Sequence, residues 1–135
     1  MYHTFRSVLD FNNALSSWDL SSVTDVYRMF RSASVLNSNI SSWDVSSVIS
    51  IKYMFYAASS INNNISSWDV SSVTSTRDMF YYASSSNNII SSRNVSSGSD
   101  MSYMFRFVSE FNNNVILGRI ECDRNEVYDC FYIII

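Results

Sequence analysis

Asp19, Asp44 and Asp69 recur at a step of 25 residues, and Asn94 takes the next place in the series. Carboxylates spaced on the repeat of a chain that folds on that repeat fall into a row, and like charges in a row repel. A cation or a donor-rich ligand would relieve the repulsion, and hard cations such as calcium favour oxygen ligands of this kind. No acidic spacing here matches a calcium loop, and each aspartate can instead bond a serine or a backbone amide in its own turn. The series is therefore a candidate binding row with no resident metal or cofactor expected. Ser41, Ser42, Ser46, Ser47, Ser66, Ser67, Ser71 and Ser72 flank it. Together they make a hydroxyl-rich surface suited to a protein or glycan ligand, or merely to solvated turns.

Other candidates are weaker. Trp18, Trp43 and Trp68 keep the same step and could form a sugar platform, but their place in an apolar frame puts them in a core. His3 is the only histidine, and its register holds Arg28, Tyr53, Asp78 and Tyr103, a variety that marks an exposed position with no assigned chemistry. The chain has no HExxH, no phosphate-binding glycine loop and no CxxC. No nucleophile, base and orienting group can be assembled, so an enzyme is not expected. Cys122 and Cys130 make neither a disulfide framework nor a zinc site. Asn39-Ile40-Ser41, Asn64-Ile65-Ser66 and Asn94-Val95-Ser96 fit the glycosylation pattern, which has meaning only in a secreted eukaryotic protein.

The elements that must position these residues follow from an internal repeat. Phe5, Phe30, Phe55, Phe80 and Phe105 stand 25 apart, and Asn12, Asn37, Asn62, Asn87 and Asn112 run through every register. Met29, Met54, Met79 and Met104 precede four of the phenylalanines. In one unit Ile51, Met54, Phe55 and Ala58 stand at i, i+3, i+4 and i+7, which predicts one apolar face of a short helix. Asp25, Ser50, Ser75 and Asp100 precede the equivalent faces as N-caps. Ile40-Ser41-Ser42-Trp43-Asp44-Val45 has the L-x-x-L-x-L spacing of a leucine-rich repeat, and its Trp-Asp-Val end predicts a short strand with aspartate outward. Stacked units would place equivalent residues in ladders, with buried asparagines bonding their own turn and the next.

The expected fold is thus an α/β, leucine-rich-repeat-like solenoid of about four and a half units, each a short parallel strand plus a short helix. The repeat spans 1–117, and 118–135 read as an irregular tail or degenerate cap. With 135 residues, 47% hydrophobic and a net charge of −3, the chain can bury a core and carries no basic patch for nucleic acid. No apolar run reaches the roughly 20 residues of a membrane helix, and the first residues lack the pattern of a signal peptide.

Segments such as Ile65-Ser66-Ser67-Trp68-Asp69-Val70-Ser71-Ser72-Val73-Thr74, followed by Met79-Phe80, resemble the BspA-type leucine-rich repeat surface proteins of mycoplasmas, other bacteria and some protists. The resemblance covers roughly residues 2–117. It implies a leucine-rich-repeat-like solenoid, a cell-surface or secreted location, adhesion or recognition, and no catalytic residues. Arg93-Asn94 in place of Trp-Asp, Gly98 in place of valine, and Ser86 in an apolar place depart from the pattern. The chain looks like a piece of a longer array. The leading expectation is a surface or secreted binding module acting through a concave Asp/Ser face; a structural spacer and an intracellular scaffold are the alternatives. Open ends of the solenoid predict self-association.

Overall fold

A computed structural model describes residues 14–87 and 100–109, together with Phe5, Ser7 and Asn12. The 25-residue units stack directly on one another. Parallel bridges join Asp25 to Ser50, Ser50 to Ser75 and Ser75 to Asp100. Equivalent rings lie face to face: Phe30 and Phe55 at 5.9 Å, Phe55 and Phe80 at 5.5 Å, and Phe80 and Phe105 at 5.4 Å. A second column holds Trp18 and Trp43 at 6.2 Å, then Trp43 and Trp68 at 6.1 Å.

The described residues contain no helix and no strand longer than a single bridge, which overturns the α/β leucine-rich-repeat architecture expected from the spacing. The reason lies in where the amides go. In a helix every amide donates four residues back. Here they alternate. The amides of Val26, Arg28, Phe30 and Ser32 donate to Ser50, Lys52, Met54 and Tyr56 of the next unit, at 2.7–3.2 Å. Those of Met29, Arg31 and Ala33 donate three residues back within their own unit. The same alternation recurs from Ile51 and from Thr76. Residues 26–33, 51–58, 76–83 and 101–108 are therefore runs of overlapping β-turns. Residues Arg28, Ser32, Tyr53, Ala57, Asp78, Tyr82, Tyr103 and Phe107 have φ between 54° and 62°. All eight are the third residues of hydrogen-bonded turns, the position where a type II turn requires positive φ.

Size enforces the same outcome. A helix with its side chains is about 10–12 Å across, and the phenylalanine column rises only 5.4–5.9 Å per unit. The tryptophan column is no tighter, at 6.1–6.2 Å. A horseshoe needs its helix side spread wider than its strand side, so the concave face is corrected as well. The Trp-Asp-Val segments are not strands; pairing falls at Asp25, Ser50, Ser75 and Asp100, where caps were expected. Three of them still accept the amide two positions on: Asp25 from Tyr27 at 2.8 Å, Ser75 from Arg77 at 3.3 Å and Asp100 from Ser102 at 3.0 Å.

The inward columns are those of the apolar pattern. Ile51, Met54, Phe55 and Ala58 are buried, as are Val26, Met29, Phe30 and Ala33. Leu15, Ile40 and Ile65 form another column beside Trp43 and Trp68. The Trp43 ring packs on Phe30 at 6.1 Å, so the Trp-bearing and Met-Phe-bearing segments meet across one core. Residues directed outward from the two segments therefore occupy opposite sides of the stack. No helix among the described residues is long and apolar enough to cross a membrane.

Candidate functional site

On the Trp-bearing side the aspartates are exposed and locally bonded. Oδ1 of Asp19 accepts the Ser21 amide at 2.9 Å and its hydroxyl at 2.6 Å. Asp44 holds Ser46 in the same way at 3.0 and 2.7 Å, and Asp69 accepts the Ser71 amide at 3.0 Å. These bonds hold all three carboxyls below the usual aspartate range, the serine hydroxyl first and the backbone amide second. Repulsion from Asp19 and Asp69 pushes Asp44 the other way and is outweighed. An aspartate row strained by like charge would show raised values, so local turn chemistry dominates here. Asn94, the fourth member of the row, lies outside the described residues, as do His3, Cys122, Cys130 and 118–135.

The same side is joined from unit to unit through side chains. Trp43 Nε1 donates to the Leu15 carbonyl at 2.8 Å, and Trp68 Nε1 to that of Ile40 at 3.0 Å. Ser42 and Ser67 hydroxyls reach Ser16 and Ser41. Trp43 and Trp68 are thus core residues with a satisfied ring donor, and Trp18 packs half-buried against the same core. The asparagine ladder is present but lies at the surface: Oδ1 of Asn12, Asn37 and Asn62 accepts the amide of Asn37, Asn62 and Asn87 in turn, at 2.9–3.2 Å. At the glycosylation-pattern positions, Asn39 and Asn64 use Oδ1 to accept the amides of Ser41 and Ser66.

The opposite side carries different chemistry. The Arg28 guanidinium rests 4.7 Å above Tyr27 and 5.0 Å above Tyr53. Its Nε is buried with no hydrogen-bond partner, so the rings are what hold it. Arg31 lies 4.6 Å over Tyr56, Tyr56 stacks on Tyr81 at 5.0 Å, and Tyr81 meets Tyr82 edge-on at 4.8 Å. Tyr82 stacks on Phe107 at 4.6 Å, and both are 50% exposed. Arg106 closes the series over Phe107 at 4.9 Å and Tyr103 at 5.3 Å. Contacts of this kind bring roughly 0.5–1 kcal/mol each when exposed. Their larger consequence is a continuous aromatic and cationic surface across four units.

Asp78 lies within that surface. It is buried, and Arg77 Nε approaches its Oδ2 at 3.2 Å. Burial raises its carboxyl above the usual range, against hydrogen bonds from Arg77 and Tyr53 that favour the charged form. Sequence reasoning passed over this side because its registers vary: Arg28, Tyr53, Asp78 and Tyr103 share one position, and Arg31, Tyr56, Tyr81 and Arg106 another. The signal was present in those registers, since all but Asp78 hold arginine or tyrosine.

A family model described as "Mycoplasma protein of unknown function, DUF285" matches residues 1–117. The chain belongs to this family. The match assigns a mycoplasma-type repeat family and carries no activity with it. No curated protein and no solved structure matches the chain. As a DUF285 repeat protein it has the stacking columns of its 25-residue unit in the core and two surfaces of unlike composition on either side of it.

Proposed function

We propose that this chain is a non-enzymatic, surface-associated recognition module whose principal contact face is the Tyr/Arg side. The carrying observation is the exposed Tyr82–Phe107 stack with Arg106 held over Phe107, linked through Tyr81 and Tyr56 to the ring-held Arg31. Tyrosine, phenylalanine and arginine are the residue types enriched at protein interfaces and at their energetic centres. Rings already stacked and guanidinium groups already held on rings lose little freedom on binding, which favours affinity. The Asp19, Asp44 and Asp69 row is the secondary contact, because its carboxylates are already engaged in their own turns. The BspA-like Trp-Asp-Val-Ser-Ser-Val elements and the mycoplasma family support a surface setting and an adhesive role. Repetition of weak contacts at fixed spacing suits such a role through multivalency.

The test is attachment of the fluorescently labelled chain to intact mycoplasma cells and to cultured epithelial cells. Tyr82→Ala with Phe107→Ala is expected to abolish attachment, while Asp44→Ala with Asp69→Ala retains most of it. The reverse pattern would move the contact face to the aspartate row. Attachment by none of the proteins, wild type included, would reduce the chain to a spacer. Protease shaving of intact source cells, with the repeat peptides followed by mass spectrometry, reads the location independently.

A further inference from the structure

Among the described residues the cations of this chain lie on one side of the stack, with Asp25, Asp78 and Asp100 beside them. All five described basic residues, Arg28, Arg31, Lys52, Arg77 and Arg106, lie in the turn runs. Residues 33–51 and 58–76, which carry Asp44 and Asp69, contain no lysine or arginine. The sorted rows share one axial repeat, because both are built on the same stacked units. Every unit from residue 26 to residue 108 presents at least one cation on the turn side, and the units of Asp19, Asp44 and Asp69 each present a carboxylate on the other.

We propose that the occupant of the Tyr/Arg face is the Asp/Ser face of a second copy of this chain, so that stacks associate side by side. The inference rests on the preceding assignment of the Tyr/Arg side as the contact face and names its partner. Three observations converge on a second copy. The turn side carries five cations against Asp25, Asp78 and Asp100, whereas the Trp-bearing side carries Asp19, Asp44 and Asp69 with no cation among the described residues, a difference in charge that steers an encounter. The two faces advance by the same step per unit, so each carboxylate of one copy meets a unit bearing a cation in the other, although the cation stands at a different place from unit to unit. The carboxylates are held in fixed orientation by Ser21, Ser46 and Ser71, so little freedom is lost on pairing. The hydroxyls of the serine-rich face supply acceptors for the tyrosine phenols that ring the arginines.

The contact joins unlike surfaces that lie on opposite sides of one molecule. It is therefore heterologous and does not close on itself, giving an open lateral array and no fixed dimer. Association should grow with concentration and weaken with salt, since screening shortens to about 3 Å at 1 M.

The experiment is sedimentation velocity of the full chain and two charge-reversed variants. Arg31→Glu with Arg106→Glu leaves two acidic faces; Asp44→Arg with Asp69→Arg leaves two basic ones. Wild type is expected to form species larger than the monomer at about 0.05 M salt and to revert toward monomer near 1 M. Each variant alone should bind itself roughly tenfold or more weakly, and an equimolar mixture of the two should associate again. Recovery in the mixture cannot arise from misfolding, and circular dichroism of each variant checks its fold. A wild-type chain that stays monomeric at low salt overturns the proposal. So does association indifferent to salt and to both reversals, which would place the contact at the ends of the stack. A wild-type chain that attaches to cells without self-associating sinks this inference alone, whereas one that self-associates without attaching sinks only the adhesive reading.

Discussion

The two sides of the stack are held together by different atoms. On the turn side, backbone amides of one unit donate to backbone carbonyls of the next, from Val26 to Ser50 through Tyr82 to Arg106. On the Trp-bearing side, side chains of one unit reach back to carbonyls of the one before, as Trp43 does to Leu15 and Ser67 to Ser41. The contrast explains the sequence. Where side chains make the joints, their identity must repeat, and Trp, Ser and Asn do repeat. Where the backbone makes the joints, the outward side chains are released from that duty, and Arg, Tyr, Lys, Asp, Ser, Ala and Phe all occur. Freedom to vary is what a recognition surface needs, so regularity marks construction and variety marks the candidate site.

Substitutions can break this contrast, beginning with the backbone side. Ala57→Pro removes an amide that donates to Tyr81 at 2.7 Å and imposes a negative φ where the chain has 55°. It is expected to cost about 3 kcal/mol or more in urea unfolding. Tyr56→Ala, one residue away, leaves every backbone joint in place and should cost far less. Next in size comes Trp43→Phe, which deletes the ring donor to the buried Leu15 carbonyl. Leaving that acceptor unpaired costs about 1–3 kcal/mol, read as a lower midpoint in the same titration.

Ala57→Gly acts in the opposite direction at the site of the proline test. A non-glycine residue at left-handed φ loses about 1–2 kcal/mol, and glycine gives back part of that through its greater unfolded freedom. A net gain of about 0.5–1 kcal/mol is expected, visible as a higher Tm. Large residues such as Tyr53, Tyr82 and Phe107 hold the same conformation. Strain retained under exposed aromatic residues is the pattern of a functional surface.

The smallest expected effect is a difference of sign with pH. Asp19, Asp44 and Asp69 have folded values below 3.8, so their contribution is present above 3.8 and is lost as pH falls through the lower folded values. Asp78 has a folded value above 3.8, so its contribution is full below 3.8 and is lost as pH rises through the folded value. Asp78→Asn should therefore raise stability at neutral pH relative to wild type, with the gain vanishing in acid. Asp44→Ala should lower it at neutral pH, with the loss vanishing in acid. Tm measured across the acid range checks both, and a shared sign would break the contrast between the sides.

Much of the core was legible in the residues. The step of 25 located the stacking columns, and the apolar places around Met54 and Phe55 are the buried ones. The ladder of Asn12, Asn37 and Asn62 was legible as a link between units, though its exposure was not. The helix was misread at Ile51, Met54, Phe55 and Ala58, because spacing of i, i+3, i+4 and i+7 is common to a helix and to a run of overlapping turns. The candidate face was missed with it, since a helix would have made Tyr53 and Tyr56 an ordinary solvent side.

The sequence by itself determined the period, the identity of the inward columns and the local bonding of Asp19, Asp44 and Asp69, because these depend on repetition, apolarity and contacts two residues away. Only the tertiary structure decided between helix and turns. In a helix the amide of Phe30 would donate to the Val26 carbonyl; what withdraws it is the Met54 carbonyl, presented at 3.0 Å by the next unit. The stacking of Tyr56 on Tyr81 and of Tyr82 on Phe107 was decided at the same level, since a ring acquires its neighbour only when the following unit lies down upon it.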